Sequence, residues 1–291
     1  MIDGITGKTK VYGIFGDPVG HSLSPVMQNA AFAHFALDAV YVPFHVTPAD
    51  LPAAVAALRA LRIAGINVTI PHKEAIVPLL DRLDPLAERI GAVNTVVNED
   101  GVLTGYNTDA TGFLRSTQQQ LGFDPRGKEV LLLGAGGACR AAVAALLTTE
   151  VDSIAVANRT LERARQLAAA LAPAAAATGV TGMDYQGPDF ARAVARADLI
   201  VNTTALGLRG ESLDFLSLEQ VKRSVSLYDM VYSVAGTPLV NAARAAGLAC
   251  VDGFSLLAAQ GEDAFLLWTG KDCPQQFMQQ RLHEFIRQLN R

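Results

Sequence analysis

The sequence predicts an α/β protein of two domains, and three observations carry that prediction. Apolar strand-like runs alternate with helix-like stretches along the chain. In mid-chain, Val130-Leu131-Leu132-Leu133 runs straight into Gly134-Ala135-Gly136-Gly137-Ala138, which reads as a buried strand, a glycine turn and the start of a helix. The 291 residues, half of them hydrophobic, suffice for two cores of ordinary size. The expected arrangement is an N-terminal α/β substrate domain with a mostly parallel sheet (1–109), a doubly wound domain of Rossmann type (110–252), and C-terminal helices (253–291) returning to complete the first domain.

Composition narrows the function classes. The net charge is −4 with no basic block, so nucleic acid and anionic membranes are not expected partners. No apolar run has membrane-spanning length, and no signal peptide is evident. Cys139, Cys250 and Cys273 are odd in number and far apart, which fits a reduced, cytoplasmic protein. His21, His34, His45, His72 and His283 show no metal-ligand spacing, so no metal is expected. Ala174 to Ala177, just after Pro173, read as a helix-end loop without chemistry. The expected partner is a small-molecule substrate, and monomer and homodimer both stay open.

The elements follow in order. Lys10 to Phe15 reads as a strand, ended by Gly16-Asp17-Pro18. Ser24 before Pro25 reads as an N-cap with proline at the first helical position, opening a helix to about Ala36. Simple capping is one role for Ser22 and Ser24; holding a carboxylate with hydroxyls and free N–H groups is the other. A strand over Ala39 to Val46 and a helix from about Pro48 to Leu61 come next. In Gly65 to Ile70, strand alternation puts Asn67 and Thr69 on one face, and Pro71 stops the strand. Lys73 is then expected in the first turn of a helix, where a cation opposes the dipole; beside a polar wall that favours a functional lysine over a solvated one.

Gly91 to Val97, including Asn94, reads as a strand, Asn98 to Gly101 as a turn and Val102 to Tyr106 as the returning hairpin arm. Asp109 precedes a helix from about Ala110 to Leu121, either capping it or presenting a carboxylate.

The glycine turn then sets the second domain. Gly134 and Gly136 remove Cβ atoms where the chain turns and where a phosphate must approach, and the helix from Ala138 aims its N–H groups there. The sixth position of the fingerprint is Cys139 rather than glycine, but Ile154 to Ala157 follows as a second strand at βαβ spacing. After that strand comes Asn158-Arg159-Thr160-Leu161-Glu162-Arg163, with no acid for a ribose 2′-hydroxyl. Arg159 and Arg163, expected four apart on one helix face, are either solvated charges or a 2′-phosphate clamp; their position favours the clamp, and therefore NADP. Further strands are expected at Asp198 to Asn202, Val225 to Met230 and Ala249 to Val251, and helices from Pro238 to Ala246, through Gln260 towards Trp268, and from Pro274 to Leu289.

Read together, these motifs resemble the shikimate dehydrogenase family over essentially the whole chain. The resemblance rests on Ser22-Leu23-Ser24-Pro25, Asn67 to Lys73, Gly91 to Thr95, Asn107-Thr108-Asp109, Gly134 to Ala138, Asn158-Arg159-Thr160, Tyr228-Asp229-Met230 with Tyr232, and Gly253 through Gln260. It implies an NADPH-dependent 3-dehydroshikimate reductase with Lys73 and Asp109 as the catalytic pair. It implies Ser22, Ser24, Asn67, Thr69, Asn94, Tyr232 and Gln260 around the substrate, and Met230 and Gly253 near the nicotinamide. Asp17, Ala110, and Gly261 with Glu262 depart from the usual family residues. An NAD-preferring quinate/shikimate dehydrogenase is the nearest rival, opposed by Ser24 and the arginine pair. A non-catalytic NADP-binding sensor is opposed by the retention of Lys73 and Asp109.

Overall fold

The computed structural model describes residues 4–171 and 178–289; the alanine tract 174–177 and Pro173 lie outside them. In chain order the strands are β1 Lys10–Gly16, β2 Ala39–His45, β3 Gly65–Val68, β4 Arg82–Leu83, β5 Thr95–Glu99, β6 Val102–Tyr106, β7 Glu129–Leu133, β8 Ser153–Ala157, β9 Gly179–Met183, β10 Leu199–Asn202, β11 Ser226–Asp229 and β12 Ala249–Val251. The helices are α1 Ser24–His34, α2 Leu51–Ala60, α3 Pro85–Ile90, α4 Thr108–Leu121, α5 Gly137–Leu146, α6 Leu161–Leu171, α7 Pro188–Arg196, α8 Pro238–Ala245, α9 Gly253–Thr269 and α10 Phe277–Leu289. The chain divides into two compact units, Met1–Gly112 with Leu257–Arg291, and Phe113–Leu256.

The first unit holds a six-stranded sheet in the order β2-β1-β3-β5-β6-β4. β1 pairs in parallel with β2 and β3, and β4 with β6, while β3–β5 and β5–β6 are antiparallel. The β5–β6 hairpin turns through Asp100 at φ 50° and Gly101 at φ 91°, the positive dihedrals that a tight hairpin needs. Phe15, Val55, Leu58, Ile66, Ile76, Val96 and Leu103 are buried together as one core. The chain's single tryptophan, Trp268 in α9, donates from its indole to Val96 O at 3.0 Å. A Cβ on Gly65 would lie 2.3 Å from that indole nitrogen, so this strand position has to be side-chain-free. α10 packs on α1, as its amphipathic pattern predicts. Gly261 sits where α1, α9 and α10 meet: a Cβ there would lie 2.4 Å from Met27 Cε and 3.1 Å from Met278 Sδ. That crowding accounts for the glycine that departs from the family pattern.

The second unit is a six-stranded sheet in the order β12-β11-β10-β7-β8-β9, with every neighbouring pair parallel. Strand order reverses between β7 and β10, so the glycine turn leaves the sheet at its topological switch point. Leu131, Leu133, Ile200, Leu227, Phe190, Val194 and Leu239 are buried in one core.

Several sequence expectations need correction. α1 begins at Ser24, with Leu23 at the N-cap position and no side-chain cap bond, so Ser24 is a first-turn residue and not the cap. α2 begins at Leu51 instead of Pro48, because Asp50 N first bonds back to Thr47 O at 3.0 Å and the Thr47 hydroxyl to Asp50 Oδ2 at 2.7 Å. β3 ends at Val68, and the stretch after Pro71 forms only turns and a short 3-10 helix, Val77–Leu79. Lys73 therefore does not stand in the first turn of an α-helix, and the dipole argument for it falls. Gly91 closes α3 with φ 69° instead of opening a strand, and β5 starts four residues later. Arg159 lies ahead of α6 in a bend, so only Arg163 is on the helix and the two do not share a helix face. The last helix starts at Phe277, three residues after Pro274.

Candidate active site

The first unit gathers Lys73, Asn94, Asp109 and Gln260. Lys73 Nζ donates to Asp109 Oδ2 at 2.6 Å, with side-chain exposures of 22% and 14%. The turn bearing the lysine is held because Val93 N donates to Lys73 O at 2.8 Å, placing it next to the approach to β5. His72 is buried, with its Nε2 2.6 Å from Val46 O, which fixes the same turn from its other side. Asp109 occupies the first turn of α4, and the neighbouring Asn107 supplies the cap by accepting from Ala110 N at 3.2 Å. The Asp109 carboxylate is thereby free to take the lysine.

Asn94 orients that carboxylate. Its Nδ2 donates to Asp109 Oδ1 at 2.9 Å and to Thr108 Oγ1 at 3.0 Å, and its Oδ1 accepts from Thr108 N at 2.7 Å. Gln260 Oε1 lies 3.4 Å from the same Nδ2, while its own Nε2 donates to Leu257 O at 2.7 Å. Gly112 makes this approach of α9 to α4 possible, since a Cβ there would lie 2.8 Å from Gln260 N.

Asn67 is buried and internally engaged. Its Nδ2 donates to Asn94 O and Thr95 Oγ1, and its Oδ1 accepts from the Tyr41 hydroxyl at 2.8 Å. Burial pushes the Tyr41 phenol well above its usual range, with the hydrogen bond to Ser24 opposing. Ser24 is itself buried, and its N–H donates to Ser22 Oγ at 3.3 Å. Thr69 is half-buried just past β3, with its methyl over Gly16, where an added Cβ would lie 2.5 Å away. Among the described residues the Thr69 hydroxyl has no hydrogen-bond partner, and Lys73 Nζ has one, Asp109. Two of the three ammonium N–H groups are therefore uncommitted.

Sequence reasoning missed Tyr41, Thr95 and Thr108, which carry this network from Ser24 to Asn94. Tyr41 reads as an ordinary strand aromatic, and only its contacts 26 residues away give it a polar role.

The second unit holds the remaining predicted residues. Gly134 has φ 111°, and a Cβ on it would meet Thr203 Oγ1 at 2.7 Å. Ala135 is half-buried, Gly136 is exposed, and a Cβ on Gly136 would meet nothing within 4 Å. α5 starts at Gly137 and Ala138 with no side-chain cap, so its first N–H groups face open ground. This uncapped cradle fits a pyrophosphate. Asn158 N donates to Met183 O at 3.0 Å and its Nδ2 to Thr160 O at 2.9 Å, shaping the bend before α6. Arg159 and Arg163 are exposed, and among the described residues neither has an ion-pair partner. Met230 and Gly253 touch: Gly253 N donates to Val231 O, and a Cβ on Gly253 would lie 2.3 Å from Met230 O. The Tyr232 ring lies 4.9 Å from that of Phe254, tilted by 37°, and burial raises its phenol.

The loop bearing Met230 and Tyr232 is anchored by buried Asp229. Its carboxylate accepts from Asn202 Nδ2 at 2.8 Å, Val231 N at 3.0 Å and the Thr237 hydroxyl at 2.6 Å. Burial raises its carboxyl above the ordinary range, with those three hydrogen bonds opposing.

Comparison with known proteins matches this arrangement. Residues 14–96 match the family of the shikimate dehydrogenase substrate binding domain, and residues 116–208 that of shikimate / quinate 5-dehydrogenase. A shikimate dehydrogenase (NADP(+)) from Geobacter metallireducens is 48% identical over 278 residues, covering 96% of this chain and 97% of its own. The crystal structure of shikimate 5-dehydrogenase from Thermus thermophilus in complex with NADP(H) and shikimate is 34% identical, with a TM-score of 0.82 over 95% of this chain and 99% of that one. Quinate dehydrogenase from Corynebacterium glutamicum in complex with NAD is 32% identical, with a TM-score of 0.87 over 95% and 99%. With two family models in sequence order, near-complete coverage and the expected two-sheet architecture, the chain belongs to the shikimate dehydrogenase family.

Proposed function

We propose that this protein catalyses the reversible NADPH-dependent reduction of 3-dehydroshikimate to shikimate. The observation that carries the reading is the Lys73–Asp109 pair at 2.6 Å, with two ammonium N–H groups left for a ligand oxygen. Bound NADPH supplies the hydride to the carbonyl carbon. Lys73 and Asp109 handle the proton: the ammonium meets the oxygen where negative charge develops, and Asp109 keeps it aimed. Asn94 fixes the second carboxylate oxygen, so the pair does not rotate away.

The substrate carboxylate is met by the Ser22 and Ser24 hydroxyls, which need not cap the helix. Thr69, Asn94, Gln260 and Tyr232 serve the ring hydroxyls, and Asn67 holds the wall in place and borders them. Residues 1–109 form the substrate-binding part, completed by 253–291, and 110–252 bind NADP. Gly134, Ala135, Gly136, Gly137 and Ala138 hold the pyrophosphate. Asn158, Arg159, Thr160 and Arg163 take the adenosine 2′-phosphate, and Met230 and Gly253 border the nicotinamide. The exposed arginines without carboxylate partners favour NADP over NAD. No disulfide joins Cys139, Cys250 or Cys273, which fits a reducing, cytoplasmic setting.

The test is turnover. The protein should reduce NADP when given shikimate, with kcat/KM for NADP above that for NAD. A folded protein without shikimate-dependent NADP reduction would refute the reading.

A further inference from the structure

Two strands of the nucleotide unit end side by side. Ala157 closes β8 and Met183 closes β9, and these two residues are paired in register. Two positions beyond each end stand Arg159 and Tyr185, so the parallel register brings them to one edge of the sheet.

Tyr185 is held firmly by its ring. It stacks on Phe215 with centroids 3.8 Å apart and planes within 8°, and it meets Phe190 edge-on at 5.7 Å. Those contacts would serve a phenylalanine equally well. The hydroxyl is what remains unexplained: among the described residues it has no hydrogen-bond partner. Burial pushes the phenol up to about 12, with the Arg159 charge opposing, so it stays a donor at neutral pH. The adjacent Asp184 accepts from Gln186 N with its Oδ1 at 2.9 Å and makes no hydrogen bond to the tyrosine. This edge therefore collects a guanidinium and a protonated hydroxyl, neither hydrogen-bonded to an acceptor among the described residues. An anion with several acceptor oxygens would accept from both.

We propose that the Tyr185 hydroxyl is a further donor to the adenosine 2′-phosphate of NADP, a cofactor-specificity residue acting beside Arg159. The inference rests on the NADP reading above and adds a residue to it.

Tyr185→Phe keeps the ring contacts and removes only the hydroxyl. Titration calorimetry with adenosine 2′,5′-bisphosphate should show affinity reduced about tenfold, the low end for a bond to a charged group. Affinity for AMP should stay within about twofold, and KM for NADP should rise with kcat unchanged. Unchanged bisphosphate affinity, or equal losses for the bisphosphate and AMP, would overturn the proposal. Arg159→Gln with Arg163→Gln, titrated alongside, keeps the two readings apart. A loss in the arginine variant alone overturns the tyrosine's role only, and no loss in either overturns the NADP reading with it.

Discussion

Asn94 and Asp109 are joined at 2.9 Å, and this bond decides how Asp109 faces Lys73. One carboxylate oxygen is committed to an amide that is itself fixed by Thr108, and the other is left to the ammonium. The lysine is thus aimed by two residues that approach it from different elements.

Removing the lysine should therefore cost rate more than binding. Lys73→Ala is expected to lower kcat by roughly 10²–10⁴-fold, the range for a lost proton-transfer group, with KM for shikimate within a few-fold. Steady-state kinetics on the folded variant check this; near-normal turnover would remove Lys73 from the mechanism.

Ser24 is not a cap, and its hydroxyl, already bonded to Tyr41, keeps a second hydrogen-bonding position for a ligand. Ser22→Ala and Ser24→Ala should each raise KM for shikimate by about tenfold or more, since a hydrogen bond to a charged group is worth roughly 1.5–3 kcal/mol. Thermal unfolding should move little. A drop in Tm with unaltered KM would return Ser24 to a purely structural role.

Gly112 controls where Gln260 stands. A methyl there would meet backbone, with Gln260 N at 2.8 Å and Cα at 3.1 Å, so α9 has to shift as a body. Gly112→Ala should cost about 1–3 kcal/mol, as overpacking does, and raise KM for shikimate. Urea unfolding and kinetics on one preparation test both parts.

On the proposed reading, cofactor choice follows the arginines. Arg159→Gln with Arg163→Gln should weaken NADP by about one to two powers of ten per lost charged contact, at the low end because both are exposed. Adding Asn158→Asp should move preference towards NAD. Equal kcat/KM for NADP and NAD in the wild type would already refute the clamp.

Much of this was legible in the sequence because it is local. The buried run Val130 to Leu133 and the glycines after it specify strand, turn and helix within nine residues, and the structure has all three. The returning helices followed from the mid-chain place of that turn. Other features were not legible, for physical reasons. After Pro71 the chain looked helical, yet Pro78 lies inside the next turns with no N–H to extend an i to i−4 ladder, and a 3-10 turn results. α3 escaped notice because it is six residues long, and Gly91, read as strand, is its left-handed end. The roles of Tyr41 and Gln28 depend on partners far along the chain; Gln28 Nε2, for instance, bonds Gly261 O across 233 positions.

The buried Asp229 should leave a mark on stability. Its carboxyl is raised in the folded state by burial, so its contribution is complete below about pH 4, the ordinary carboxylate value, and is lost as pH climbs through the folded value. Asp229→Asn has no such titration. The unfolding midpoint of the variant relative to wild type should therefore improve as pH rises above about 4, the ordinary carboxylate value. A difference that stays flat above that value would contradict it.

Trp268, bonded to Val96 and 5.1 Å from the ring of Tyr12, gives the protein a built-in optical label. It is the only tryptophan in the chain, and it belongs to the unit that carries Lys73 and Asp109. Emission excited at the indole band reports the seating of α9 on the first sheet and is silent for Phe113–Leu256. Melting of the two units can thus be followed separately, by fluorescence for one and by loss of circular dichroism for both, without attaching a dye.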